Sequence, residues 1–295
     1  MVGDADGALL IYEKGTFRVS QPVRLASASK LLTGLAVWSL VEDGQLSETD
    51  RTGELLSVWS AQDARADVTL RDLMSFTSGL NTPPNGSTCA GRLTLTLDNC
   101  VAEIHDGGLD TPPGSTFNYG PDHMQVAALM AEIASGEPLS DTLRRTILDP
   151  IGASAETGFL RGANVRYSGG AQGTADDYAG VLQALLAGTI ISDKTAFLEA
   201  RTSDADIGFQ PTGLSESGRD WRYGFGFWLE CDIVPFNAEC ESQPTLSSPG
   251  ARGFVPWVDF KSGYWAIIAM EESNEAARST ELQQLIQPMI EEAIR

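Results

Sequence analysis

The chain has 295 residues, 42% of them apolar, enough for a sizeable core in one large domain or two lobes. Its formal charge is −20, from 40 acidic and 20 basic side chains, which argues against nucleic-acid binding through a basic patch. No apolar run reaches the roughly 20 residues of a membrane span, and two isolated histidines, His105 and His123, with no His-Glu-x-x-His, argue against a metal site. Nothing in the sequence calls for a cofactor.

In chain order, residues 8–12 and 16–19 flank Glu13-Lys14-Gly15 and predict a β-hairpin. Ser27-Ala28-Ser29-Lys30 then opens an apolar run over 31–41 that stops at Gly44, a natural residue past a helix end. This helix is apolar nearly all round, which predicts burial. Ser27 and Lys30 share its face one turn apart. Of the four lysines, Lys14, Lys30, Lys194 and Lys261, only Lys30 has a serine three residues before it, and a buried lysine needs a reason.

A second helix starts near Thr69, with Asp72 completing a capping box, and runs into Phe76-Thr77-Ser78-Gly79-Leu80. Residues 81–96 form a Pro/Gly/Ser/Thr-rich loop, and 97–105 a short helix. The turn-rich stretch 111–120 ends at Tyr119-Gly120, and Pro121 suits the first position of a helix that continues to Ile133. Gly169-Gly170 precede a helix capped by Thr174 with Asp177 and ending at Gly188. Residues 221–230, 253–260 and 264–271 read as strands, and Leu282, Leu285, Ile286, Met289 and Ile290 place an apolar stripe on a C-terminal helix. This order predicts an α+β fold with a helical lobe inserted into a sheet lobe.

The cysteines form two close pairs, Cys89 with Cys100 and Cys231 with Cys240, each bracketing a turn-rich loop. Four cysteines allow three connectivities; two local disulfides are expected, against the alternative of four reduced thiols in a cytosolic enzyme. Disulfides place the protein in the periplasm or outside the cell, although Met1-Val2-Gly3-Asp4 carries no signal-peptide core.

Taken together, Ser27-Ala28-Ser29-Lys30, Tyr119-Gly120-Pro121 and Ser248-Pro249-Gly250 fall in the order of the Ser-x-x-Lys, Tyr-x-Asn and Lys-Thr-Gly (or His-x-Gly) motifs. In these motifs the whole chain resembles the serine β-lactamase and penicillin-binding-protein superfamily, closest to the class C-like branch that includes family VIII carboxylesterases. Thr69-Leu70-Arg71-Asp72-Leu73-Met74, Thr77-Ser78-Gly79-Leu80, Thr174-Ala175-Asp176-Asp177-Tyr178 and Tyr223-Gly224-Phe225-Gly226 agree with it. The resemblance implies a β-lactamase-like fold, an antiparallel sheet flanked by helices with an all-helical insertion. It implies a single catalytic domain over 1–295, with a sheet lobe near 1–22 and 200–295 and a helical lobe near 23–199.

A serine hydroxyl is a weak nucleophile until a neighbour takes its proton. With no Gly-x-Ser-x-Gly elbow and histidine scarce, Lys30 and Tyr119 are the candidate bases, singly or sharing one proton. By resemblance, Ser27 forms an acyl-enzyme while Lys30 and Tyr119 move protons. The backbone N–H groups of Ser27 and of Ala251, on the strand after Gly250, hold the oxyanion, and Ser248, Gly250 and Arg252 meet the substrate. For Arg252 an ion pair in so acidic a chain is the stronger expectation, and for His123 a surface position, ahead of filling the space left by the missing asparagine. Pro121 and Ser248 depart from the family pattern, which favours a carboxylesterase on small esters. A β-lactamase or D-Ala-D-Ala-type peptidase is the alternative within the class, and a catalytically silent binding protein the alternative outside it. The expected partner is a small ester or amide substrate.

Overall fold

The computed structural model describes residues 1–59, 63–81, 89–201, 208–209, 221–231, 235–242, 244–270 and 276–294. Residues 82–88 of the expected loop and position 271 of the last expected strand lie outside them. A seven-stranded antiparallel sheet runs in the order Ala8–Leu10, Val2–Gly3, Tyr264–Ile268, Val255–Asp259, Thr245–Ser247, Trp228–Glu230, Arg222–Tyr223. Successive side chains of a strand point to opposite faces, and the two longest strands show it. Val255, Trp257, Tyr264 and Ala266 pack against Ile286, Ile290 and Ile294 of the C-terminal helix Ala276–Ile294. Val258, Trp265 and Ile267 turn into the main core. The predicted stripe on that helix therefore splits: Ile286 and Ile290 meet the sheet, while Leu282, Leu285 and Met289 are exposed beside them. With this antiparallel sheet and its helices, the fold is α+β, as the order of elements predicts.

The N-terminal hairpin differs from expectation. Ala8–Leu10 pairs with Val2–Gly3, not with residues 16–19, which form no strand. The reason is local: Asp4 Oδ1 accepts from the N–H of Asp6 and of Gly7, and Asp4 N–H donates to Gly7 O, an Asx turn that reverses the chain earlier. Leu9, Leu10, Ile11 and Tyr12 are left exposed at the sheet edge.

The helix Ser29–Glu42 is central, every residue from Ser29 to Leu40 being buried. It ends as its sequence predicts, with Gly44 at φ 69°. Sheet and helix meet through glycines. A Cβ on Gly34 would lie 1.7 Å from Phe225 O, and one on Gly226, at φ +82°, would lie 2.0 Å from Lys30 O. Gly34→Ala is therefore expected to destabilise the protein by about 1–3 kcal/mol or more, read as a lower urea midpoint with an unchanged slope; an unchanged midpoint overturns this close approach.

The capping predictions hold where the chemistry is local. Thr69 and Asp72 form a reciprocal box at Leu70–Met74, Thr174 caps Ala175–Ala187 with Gly188 closing it in the left-handed region, and Pro121 stands at the N-cap of Asp122–Ser135. Both disulfides are formed, Cys89–Cys100 and Cys231–Cys240, with Cα–Cα separations of 5.3 and 5.5 Å inside the usual range.

Candidate active site

Ser27 lies in a single 3-10 turn, Ala26–Ala28, that leads into the buried helix. Its predecessor Ala26 has φ +49°, a conformation costly for a residue with a Cβ and concentrated at functional sites. The turn is held from a distant segment. Thr33 Oγ1 donates to Tyr167 O (2.7 Å), Ala171 N–H to Ser29 Oγ (3.1 Å), Leu25 N–H to Ala171 O (3.0 Å), and Tyr178 Oη–H to Ala28 O (2.8 Å).

Lys30, in the first turn of the helix and 5% exposed, places Nζ 3.1 Å from Ser27 Oγ and donates to Ser168 O at 2.7 Å. Among the described residues no carboxylate forms an ion pair with it. The sequence pattern thus brings Ser27 and Lys30 together as expected. The carbonyl of Ser168 is the partner it did not reveal; the adjacent Gly169-Gly170 was the available signal.

Tyr119 completes the group by a different contact. Lys30 Nζ sits over its ring, 4.8 Å from the centroid, a cation–π distance. The hydroxyl of Tyr119 makes no hydrogen bond among the described residues. Its ring is parallel to Trp228 at 5.9 Å and edge-on to Phe76 at 5.3 Å. Tyr223, fully buried beside it, has its phenol pushed well above the usual range, first by burial and then by Tyr119, so it is an inert wall. Phe76 itself has φ +61°, which nothing in the sequence announced.

The third motif departs from expectation in two ways. Ser248 is buried and its hydroxyl faces Gly226 O (3.1 Å) and Ser27 O (3.3 Å), backbone acceptors on the sheet side and on the Ser27 turn. Ala251 lies in a turn, not a strand: Thr245–Ser247 ends before it, and Gly253 N–H to Gly250 O (3.0 Å) and Gly250 N–H to Phe254 O (2.8 Å) close a tight loop. Gly250 has no room for a side chain, since a Cβ would lie 2.3 Å from Leu25 O. The loop is pressed onto the Ser27 turn in consequence, and among the described residues Ala251 N–H donates to no backbone carbonyl. Arg252, half-buried in the same loop, joins no ion pair among the described residues.

His123 is not a surface residue. It is fully buried, and burial pushes its imidazole down to about 4, so the ring is neutral at neutral pH. Among the described residues no group of three or more His, Cys, Asp or Glu is placed to hold a metal ion, and no helix is long and apolar enough to cross a membrane.

The Beta-lactamase family matches residues 2–286. Among solved structures, a putative β-lactamase from Bacteroides dorei DSM 17855 superposes with a TM-score of 0.75 at 24% identity, covering 95% of this chain and 91% of the other. A penicillin-binding protein from Bacillus halodurans gives 0.70 at 17% identity over 91% and 86%. EstCE1, a hydrolase with promiscuous acyltransferase activity, gives 0.69 at 20% identity over 89% and 84%. No curated protein matches the chain. With nearly its full length matched and its fold shared, the chain belongs to the Beta-lactamase family of serine hydrolases.

Proposed function

We propose that the protein is a serine carboxylesterase that cleaves small esters through an acyl-enzyme on Ser27. The observation that carries this reading is the 3.1 Å approach of Lys30 Nζ to Ser27 Oγ at the head of a buried helix. With Lys30 unprotonated, one N–H goes to Ser168 O and the lone pair faces the serine proton. Ser27 Oγ attacks the ester carbonyl carbon as its proton passes to Lys30. The oxyanion forms against the N–H groups of Ser27 and Ala251. Collapse breaks the bond to the alkoxy oxygen, which leaves as alcohol with the proton carried by Lys30 and the Tyr119 hydroxyl. Water then attacks the acyl carbonyl, returns a proton to Ser27, and releases the acid. Gly250 and Arg252 border this site, in a single catalytic unit whose sheet lobe (near 1–22 and 200–295) and helical lobe (near 23–199) meet at Ser27. The two disulfides support a place in the periplasm or outside the cell.

The preference for esters over β-lactams follows from two side chains. An asparagine donates to a substrate amide; Pro121 has no side-chain donor. A cation or imidazole at 248 attracts a carboxylate; Ser248 has only a neutral hydroxyl, already turned to Gly226 O and Ser27 O. Lost contacts cost about 0.5–1.5 kcal/mol if neutral and about 1.5–3 if charge-assisted, together roughly 30- to 2000-fold. We expect kcat/KM for p-nitrophenyl acetate and butyrate to exceed that for nitrocefin and benzylpenicillin by at least this factor. Faster turnover of the lactams overturns the preference, and absence of any fluorophosphonate adduct on Ser27 overturns the enzyme.

A further inference from the structure

Nothing among the described residues hydrogen-bonds the Tyr119 hydroxyl, so its aim depends on how its backbone and ring are held. The preceding residue is anchored on both sides of its peptide: Asn118 N–H donates to Phe76 O at 2.9 Å, and Asn118 O faces His123 Nε2 at 2.8 Å. A carbonyl only accepts, so Nε2 carries the proton. Nδ1 is then a bare acceptor, and its neighbour at 2.8 Å, Ser78 Oγ, must be the donor. Ser78 Oγ in turn accepts from Leu80 N–H at 3.3 Å. One directed chain thus runs from Leu80 N–H through Ser78 and His123 to the carbonyl of Asn118. The same imidazole stacks on Phe76 at 4.7 Å and 18°, and Phe76 supports the Tyr119 ring edge-on.

We propose that His123, fixed in its Nε2–H tautomer by the Asn118 carbonyl and backed by Ser78, is the positioning residue that aims Tyr119 at Lys30 and Ser27. The inference rests on the reading in which Tyr119 moves protons. His123 touches neither substrate nor reacting atoms. It acts on the peptide before Tyr119 and on the aromatic floor beneath it, a role the motif pattern does not assign and the buried, doubly bonded ring explains.

The test is a double-mutant cycle in p-nitrophenyl butyrate kinetics on the full chain. His123→Phe keeps the ring stack but removes both hydrogen bonds. Its kcat is expected to fall about 10- to 100-fold, the scale of a misplacement near 1 Å, with KM within about twofold. Tyr119→Phe alone should also lower kcat. In the Tyr119→Phe background, His123→Phe should then cost nothing further, because no hydroxyl remains to be aimed. Ser78→Ala should follow His123→Phe in the same direction with a smaller loss, and it carries the same cycle if His123→Phe does not fold. Losses that multiply across the cycle show a general structural role and overturn the inference alone. Unchanged kcat in His123→Phe overturns it as well. Unchanged kcat in Tyr119→Phe overturns the role of Tyr119 and takes the inference with it.

Discussion

Ser27→Ala is expected to lower ester kcat/KM by about four to six orders of magnitude, the scale of losing a nucleophile that works as one unit with its base. The fold should not register the change. Ser27 is only half-buried, and among the described residues its Oγ hydrogen-bonds Lys30 Nζ alone. Near-native thermal unfolding with no burst and no covalent label identifies Ser27 as the nucleophile. Turnover close to wild type in this variant removes the mechanism, whatever the neighbouring geometry.

Lys30→Met should cost about 10²- to 10⁴-fold in kcat, the usual worth of a positioned general base. Its effect on stability runs the other way from that of most buried substitutions. Lys30 is buried, and among the described residues its hydrogen-bond partners are a backbone carbonyl and a serine, with no carboxylate; burying an amine without a counter-charge is unfavourable, either as an unpaired cation or through the loss of its proton. Methionine keeps the length and packing of the aliphatic stem, and leaves Ser168 O short of one donor at about 1 kcal/mol. The expected result is a dead or nearly dead enzyme whose melting temperature stays within a few degrees of wild type or rises. A loss of both together shows that Lys30 holds the turn up and does not act on Ser27.

These two residues were legible because their relation is local. A spacing of three on a helix needs no tertiary information, and neither do the boxes at Thr69 and Thr174 or the stop at Gly44. Legibility failed where distance or a competing turn decided the outcome. Residues 16–19 carry strand-like side chains, yet the Asp4 turn gives Ala8–Leu10 a nearer partner. Ala251 was expected on a strand because motif order says nothing of the tight Gly250–Phe254 closure. A surface position was the stronger expectation for His123 because a lone histidine is less often fully buried than an apolar residue, yet it is buried together with the polar Asp122 and Gln125 of its helix. The Gly169-Gly170 pair marked the neighbourhood of Ser168, but only the folded chain brings its carbonyl to Lys30.

The same distances govern when the site comes into being. Thr33 and Tyr167 are 134 positions apart, Lys30 and Ser168 138, Ala28 and Tyr178 150, and Ser27 and Ser248 221. Contacts that close such loops bear a large entropic cost before they return anything, and form late, after helices built on local bonds. A nascent or partly folded chain therefore holds Ser27 and Lys30 on an incipient helix without the carbonyl, the turn geometry or the covering sheet that make the pair reactive. On the proposed mechanism, hydrolytic competence then belongs to the finished molecule alone, and the chain is spared an exposed, activated serine during synthesis.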